Sequence, residues 1–267
     1  MVTDRPDHGH VSPVSDDIDH PVSRIRSLSL LHLPPCDELP ELPERYLINT
    51  FHSYMSNINF LCERQLRMGG LGEDGWDVCD DDRPRPAPPC LVYSVGTSLG
   101  STFDDDVRRL YRCDVVALRT HPVEHYRRAP GLTVMRAGLG VVYTGNRWEF
   151  LTLRTLQGRL NQTHRALDIL KIDSHDEDNM AFELLITARD LSHVRQLLIE
   201  FRGRPSTTST LLRRLKMLRK IHDAGFRKFS VHAKKNCSYT EQSLPYEVTG
   251  CYKMHLVNTN SRKFQRT

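Results

Sequence analysis

Two side chains that follow one predicted strand are suited to proton transfer. Asp173 and His175 come after the segment 167–172, which predicts a strand. An imidazole titrates near neutral pH and can take a proton from a hydroxyl group, so His175 is a candidate general base. His175 could equally be a solvent-facing loop residue, and taken alone it favours that simpler interpretation.

The acidic residues at 176–178 raise the question of a metal site in the same segment. Together with Asp173 they could offer hard oxygen ligands to a divalent ion. They also stand in the first turn of a predicted helix, where the helix dipole stabilises acids, and we favour this second interpretation. Four early histidines are irregularly spaced, and we assign no metal to them or to the rest of the chain: His8, His10, His20 and His32.

A second candidate site is a turn that contains glycine. The apolar run 91–95 predicts a strand, Gly96 and Gly100 follow it, and Thr102 is placed to cap a helix with acids in its first turn. In α/β sheets that bind nucleotides, a small ligand lies beyond the carboxyl end of such a strand and faces helix N–H groups. The full G-x-G-x-x-G pattern is absent, so an ordinary strand-to-helix turn explains the segment equally well.

The elements that must position these residues alternate along the chain. Strands are predicted at 91–95, 115–118, 132–136, 167–172, 194–200, 226–232 and 246–258. Helices are predicted at 44–68, from His121, and at 151–160, 176–188 and 208–224, with a turn at 137–140. The alternation predicts an α/β fold with a parallel sheet covered on both faces. The last two strands have no helix between them, which predicts an antiparallel hairpin at one edge.

The composition divides the chain into four parts. Residues 1–43 are rich in proline, aspartate, histidine and serine and are expected to form a disordered tail. Residues 44–89 are expected to be a helix and a loop packed on the domain, with Trp76 as a core side chain. The main domain spans 90–258, and residues 259–267 form a C-terminal tail.

The seven cysteines form no C-x-x-C pair and so do not indicate zinc. Cys79 with Cys90, and Cys237 with Cys251, bracket short loops and favour two disulfides. Cys113 lies against a predicted strand and is expected to be a buried thiol.

Disulfides would require an oxidising compartment, and N-glycosylation sequons at Asn161 and Asn236 agree with one. The N-terminus lacks a charged region followed by an apolar core. We therefore expect a glycoprotein of the secretory pathway, in the Golgi lumen or secreted, if the start of the chain is incomplete, and a cytoplasmic protein otherwise. No run of about 18 apolar residues predicts a membrane span.

Four segments carry a resemblance in their order and spacing: CLVYSVGTSLGSTFDD from Cys90, AGLG from Ala137, LDILKID from Leu167 and VRQLLIEF from Val194. Together they resemble the animal methyltransferase-like family typified by methyltransferase-like protein 24, which is distantly similar to FkbM-type sugar O-methyltransferases. The resemblance continues through MGGLGEDGWDVC, from Met68, and FRKFSVHAKKNCSY, from Phe226. It covers roughly residues 60–258.

The resemblance implies a Rossmann-like, seven-stranded methyltransferase fold that uses S-adenosylmethionine, mostly parallel with an antiparallel last strand. It implies these cofactor-binding residues: Ser94, Gly96, Thr97, Gly100, Phe103, Arg119, Gly138 and Asp173. The 94–100 turn would lie beside the methionine part, the end of the second strand beside the ribose and the 137–140 turn beside the adenine. Asp173 would lie near the transferred methyl group, and Asp173 and His175 are the candidate catalytic residues.

Two positions depart from the family pattern. The second strand of the family ends in an acid that accepts hydrogen bonds from the ribose hydroxyls, and here Arg119 stands at that place. Arginine has five donors and no acceptor, so it cannot replace those contacts. The fourth strand of the family continues as K-I-D-x-E, and here His175 replaces the glutamate. An arginine could instead bind the 2′-phosphate of NADP, but the missing glycine pattern argues against this.

Two functions therefore remain open. The first is methylation, from S-adenosylmethionine, of an oxygen on a glycan or other small polar acceptor. The second is a catalytically inactive relative, a pseudoenzyme that keeps the fold as a binding module. We favour the enzyme.

Charge gives one indication about the acceptor. The net charge of +4 is mild, but basic residues predominate between 195 and 228. Arg202 and Arg204 follow the fifth strand of the main domain and could contact an anionic acceptor. A solvated helix face explains the cluster more simply, and nucleic acid is not expected.

Overall fold

The computed structural model describes residues 33–96, 102–119, 129–139, 143–144, 149–173 and 189–261. The strands are β1 (Gln65–Met68), β2 (Trp76–Cys79), β3 (Leu91–Gly96), β4 (Asp114–Arg119), β5 (Leu132–Met135), β6 (Gly138–Leu139), β7 (Tyr143–Thr144), β8 (Glu149–Leu151), β9 (Leu167–Asp173), β10 (Val194–Phe201), β11 (Phe226–Ala233), β12 (Ser238–Thr240), β13 (Glu247–Thr249) and β14 (Tyr252–Asn258). The helices are α1 (Glu44–Ser56), α2 (Thr102–Tyr111), α3 (Leu153–Arg159) and α4 (Thr208–Asp223), with 3-10 helices at Leu39–Glu41, Arg189–His193 and Lys235–Cys237.

Seven strands form one sheet, in the order β11-β14-β10-β9-β3-β4-β5. The strands from β10 to β5 pair in parallel, whereas β14 pairs antiparallel with both β10 and β11. The predicted parallel sheet and its antiparallel last strand are therefore confirmed. The hairpin of β11 and β14 lies at one end of the sheet with β11 outermost, so β14 is second from that edge.

The central strands are apolar on both faces because helices and a hairpin cover both sides of the sheet. Every residue of β3 and β9 is buried. Tyr93 of β3 packs in the core on the side of α1 and α4. Its neighbour Val92 packs on the opposite side, with Trp76 of β2 and Phe103 of α2. The prediction of Trp76 as a core residue is confirmed.

The packed part of the chain begins before the predicted boundary at 43. Leu33 and Leu39 are buried in the same core as α1, where their apolar side chains lose contact with water. The segment 33–43, predicted as tail, is therefore packed on the domain in the structure. Residues 1–32 lie outside the described ranges.

The predicted helix 44–68 is wrong beyond residue 56. Asn57 is extended, and the N–H groups of Asn59 and Phe60 both donate to the carbonyl of Lys228 at 2.9 Å. Leu61, expected on the buried helix face, is 74% exposed. The chain then forms β1, which pairs antiparallel with β2, so the segment predicted as one loop, 69–89, contains a strand. A tertiary contact thus overrides the helical spacing of apolar residues.

Three smaller predictions also differ from the structure. Gly138 and Leu139, predicted in a turn, form β6, which pairs with β8. The predicted helix 151–160 begins at Leu153, because the hydroxyl of Thr152 accepts from the Thr155 N–H and caps α3 there. The predicted final strand 246–258 is divided into β13 and β14. The predicted helices from His121 and at 176–188 lie outside the described ranges.

The disulfides are Cys62–Cys79, Cys90–Cys113 and Cys237–Cys251. The last of these was predicted. The predicted Cys79–Cys90 pair and the predicted free thiol of Cys113 are wrong. Cys90 precedes β3 and Cys113 precedes β4, and these parallel neighbours begin side by side with Leu91 opposite Asp114. Cys36 remains a free thiol.

No helix within the described ranges is long and apolar enough to cross a membrane. The three disulfides point to an oxidising environment of the secretory type.

Candidate functional site

The carboxyl ends of three adjacent strands bring the main candidate residues into register. Gly96, the last residue of β3, is paired with Asp173 of β9 on one side and with Arg119 of β4 on the other. In parallel sheets of this kind ligands bind beyond the carboxyl ends of the strands. The structure therefore brings together Gly96, Asp173 and Arg119 as neighbours at that edge.

Gly96 is required by the neighbouring strand. A Cβ atom at this position would lie 2.7 Å from the carbonyl oxygen of Asp173 and 3.0 Å from its Cβ. Real Cβ atoms do not approach a backbone oxygen so closely, so an alanine would push β3 and β9 apart. The glycine thus allows close strand packing just where the sheet edge must hold Asp173.

Arg119 is buried and turned into the protein. Its Nη2 donates to Oδ2 of Asp104 at 2.5 Å and to the hydroxyl of Ser94 at 3.3 Å. Its Nη1 donates to the carbonyl oxygens of Ser94, at 2.5 Å, and of Leu118, at 3.0 Å. A buried charge needs such pairing, and Asp104 at the start of α2 supplies it. The first-turn acid predicted to complement the helix dipole is thus also the partner of Arg119.

Asp173 lies between two cations. Its Oδ1 accepts from Nη2 of Arg202 at 2.9 Å, and its Oδ2 is 3.7 Å from Nζ of Lys171. Burial alone would raise the pKa of Asp173, but the positive charges of Lys171 and Arg202 outweigh it and lower the pKa to about 2. Asp173 is therefore an ionised, oriented carboxylate near neutral pH.

Lys171 is fully buried beneath this edge. Its ammonium lies 4.8 Å from the ring centroid of Trp76 and 5.7 Å from that of Phe103. Burial lowers the pKa of Lys171, and attraction to Asp173 opposes that shift. Phe103, predicted to contact a cofactor, is a buried core residue here.

A second buried carboxylate, Glu200, extends the charged cluster and was missed by the sequence reasoning. Nζ of Lys234 is 2.7 Å from its Oε1, and Arg202 donates to its Oε2 at 3.1 Å. Nζ of Lys253 lies 4.0 Å from the same Oε2, and burial lowers the pKa of Lys253 to about 8. The available signal was a charged residue within an apolar strand run, as in LLIEF and YKMHL.

The other predicted residues in the described ranges do not stand at the three paired strand ends. Gly138 is buried in β6, which contacts β3 and β4 but is not one of the three paired strand ends. The hydroxyl of Thr102, predicted as a helix cap, donates to the carbonyl of Gly69 at 2.7 Å. Thr97, Gly100 and His175 lie outside the described ranges.

Arg204 lines a cavity of about 290 Å³ beyond the end of β10. Its guanidinium donates to Glu241 at 3.2 Å and lies over the ring of Tyr239. Glu44 and His52 of α1 also line this cavity. The lining therefore carries both signs of charge, and both Arg202 and Arg204 are engaged by acids of the protein.

A family model described as a methyltransferase domain matches residues 15–246, which is most of the chain. Such domains generally use S-adenosylmethionine as the methyl donor. No curated protein matches the chain.

Proposed function

We propose that this chain, which belongs to the methyltransferase-domain family, is a transferase that uses S-adenosylmethionine to methylate an oxygen of a glycan or another small polar acceptor. The observation that carries the proposal is the register of Gly96 and Asp173 at the carboxyl ends of β3 and β9. The narrower assignment, to the animal methyltransferase-like family typified by methyltransferase-like protein 24, rests on the sequence segments that flank these two residues.

The described residues fit the cofactor at the carboxyl ends of β3 and β9, but not at the carboxyl end of β4. The ends of β3 and β9 offer a close-packed edge and an oriented carboxylate. At the end of β4, Arg119 offers donors only, and its guanidinium is already bound to Asp104 and to Ser94. We therefore assign no ribose contact to Arg119 and none to Phe103, which packs in the core. The proposed cofactor-site residues are Ser94, Gly96, Thr97, Gly100, Gly138 and Asp173.

Asp173 suits positioning better than proton removal. S-adenosylmethionine, when bound, supplies an electrophilic methyl group on a sulfonium. A carboxylate with a pKa of about 2 is a weak base toward a hydroxyl group near neutral pH, but it can accept a hydrogen bond and orient that hydroxyl. We assign this orienting role to Asp173 and proton removal to His175, two residues further along the chain.

The cavity beside Arg204 is our proposed place for the acceptor. Its volume of about 290 Å³ is close to the lower limit for small-molecule sites, roughly 300 Å³. Its polar lining suits a compound that carries several hydroxyl groups. Because Arg202 and Arg204 are already paired with acids, the contacts favour a neutral polar acceptor over an anionic one.

The proposal is tested by calorimetric titration of the full chain with S-adenosylmethionine and with S-adenosylhomocysteine. We expect micromolar binding, about −8 kcal/mol, weakened at least about tenfold by Asp173→Asn. Asp168→Asn is the matched control, because Asp168 is also buried and bonded to an arginine but lies at the other end of β9. Binding that is equally sensitive to both variants, or absent in the natural protein, would contradict the proposal.

A catalytically inactive relative is the second candidate, and one observation favours it. The buried pair of Arg119 and Asp104 fills the strand end where the resembling family has an acid. The double variant Arg119→Asp with Asp104→Asn restores one acid there without placing two carboxylates side by side. No binding by the natural protein, together with binding by this double variant, would establish that the fold has kept its shape and lost its cofactor.

A further inference from the structure

Three potential metal ligands meet where the β1–β2 hairpin packs on the main sheet. Asp77 belongs to β2, His232 to β11 and His255 to β14. One ligand atom from each side chain can be chosen so that all three lie within 4.8 Å of one another. We call these three residues the Asp77 cluster. The proposed methyl transfer makes no use of it.

The ligand atoms converge on one carboxylate oxygen. Nε2 of His232 lies 2.5 Å from Oδ2 of Asp77, and Nδ1 of His255 lies 3.9 Å from the same oxygen. The rings of the two histidines are 5.4 Å apart between centroids and nearly perpendicular. Two imidazoles therefore face one carboxylate from two adjacent strands.

His255 has unused bonding capacity. Its side chain is fully buried, and neither ring nitrogen makes a hydrogen bond of good geometry, although the backbone of Ser230 lies nearby. Leaving buried polar atoms unpaired costs about 1–3 kcal/mol, so native proteins rarely do so without a compensating interaction. Coordination through Nδ1 would supply that interaction.

We propose that Asp77, His232 and His255 together bind one divalent transition-metal ion of the zinc type. Imidazole nitrogen and carboxylate oxygen are the ligands that such ions take when no thiolate is present. Three protein ligands leave a fourth position for water. The side chain of His232 is 44% exposed, which provides the route of entry.

The surroundings already hold the carboxylate in place. The hydroxyl of Ser230 donates to Oδ2 of Asp77 at 2.5 Å, and Nη1 of Arg67 donates to Oδ1 at 2.8 Å. Hydrogen bonds of this kind hold ligands in a fixed orientation in metal sites. The ion would connect β2 to β11 and β14, and so fasten the hairpin to the sheet.

The positive charge of Arg67, however, weakens binding of the ion. Nη1 of Arg67 lies 3.0 Å from Nε2 of His232 and 2.8 Å from Oδ1 of Asp77, so a positive guanidinium stands beside two of the three ligand residues. The guanidinium must move away from His232 when a cation binds, and it repels that cation. Removing this charge should therefore strengthen metal binding.

The test is calorimetric titration of the full, chelator-treated chain with Zn²⁺, in parallel with Co²⁺, whose visible absorption reports imidazole ligands. We expect one ion per chain, at least about tenfold weaker binding in His232→Gln, and tighter binding in Arg67→Met. His164→Gln, a change at an exposed histidine outside the cluster, should leave the affinity unchanged.

Two results would overturn the proposal. One is the absence of binding in both the natural chain and Arg67→Met. The other is binding that His232→Gln leaves intact, because the ion would then be held elsewhere, for example by the histidines before residue 33. His232 is partly exposed, so its substitution should not prevent folding, and circular dichroism of each variant checks this.

Discussion

At the scale of single residues, the contribution of the buried pair of Arg119 and Asp104 to the stability of the protein can be measured. Arg119→Met leaves Asp104 as an uncompensated buried charge and should lower the free energy of unfolding by about 3–5 kcal/mol. Adding Asp104→Leu should recover most of the loss, because an apolar pair needs no partner charge. Urea unfolding of the three proteins provides the measurement.

An exposed ion pair provides the control for that experiment. Arg109 is paired with Asp106 at 2.7 Å, but its side chain is 83% exposed. Arg109→Met should therefore change stability by less than about 1 kcal/mol. Equal losses for Arg109→Met and Arg119→Met would contradict the role given to burial.

The buried His52 should make the stability of the protein depend on pH. His52 lies between the hydroxyls of Tyr252, at 3.0 Å, and Tyr239, at 3.1 Å. Burial, followed by the charge of Arg214, lowers the pKa of His52 from 6.5 to about 4. Between these two values the unfolded chain binds a proton that the folded chain does not, so stability falls as the pH drops through this window.

The expected loss from His52 is about 3 kcal/mol on going from pH 7 to pH 4. His52→Gln keeps a donor and an acceptor for the tyrosines but does not titrate. Its free energy of unfolding should therefore fall by correspondingly less over the same range, measured in urea at each pH. Parallel pH profiles of the two proteins would show that His52 is not the group responsible.

At the scale of elements, the contact between β3 and β9 depends on Gly96. Gly96→Ala places a Cβ 2.7 Å from the carbonyl oxygen of Asp173, and we expect a loss of about 1–3 kcal/mol from the strained strand contact. Gly158→Ala is the matched control. A Cβ at Gly158 meets nothing within 4 Å, and alanine should stabilise α3 by about 0.5–1 kcal/mol. Thermal unfolding should therefore shift in opposite directions for the two variants.

At the scale of the whole molecule, the three disulfides predict how the protein behaves when it is made in a secretory host. Intact mass without reduction should be lower than after reduction by two hydrogens for each disulfide, and alkylation should label Cys36 alone. Asn161 and Asn236 are both exposed, so glycans are expected at both. Protein that carries neither disulfides nor glycans would exclude the secretory pathway.

The sequence by itself determined the sheet and the location of the candidate site. Segments such as 91–95 and 167–172, in which apolar residues predominate, predict buried parallel strands, because both faces of such strands are covered. The residues at their ends follow directly from the strand limits, so Gly96, Asp173 and Arg119 could all be identified without a structure.

Only the tertiary structure decided which distant residues meet. α1 ends where it does because Asn59 and Phe60 bond to Lys228. Cys90 joins Cys113 because β3 and β4 begin side by side. These contacts depend on strand register and order, whereas a sequence pattern records only local periodicity. The partners of Arg119 and Glu200, and the meeting of β2 with β11 and β14 at the Asp77 cluster, arise in the same way.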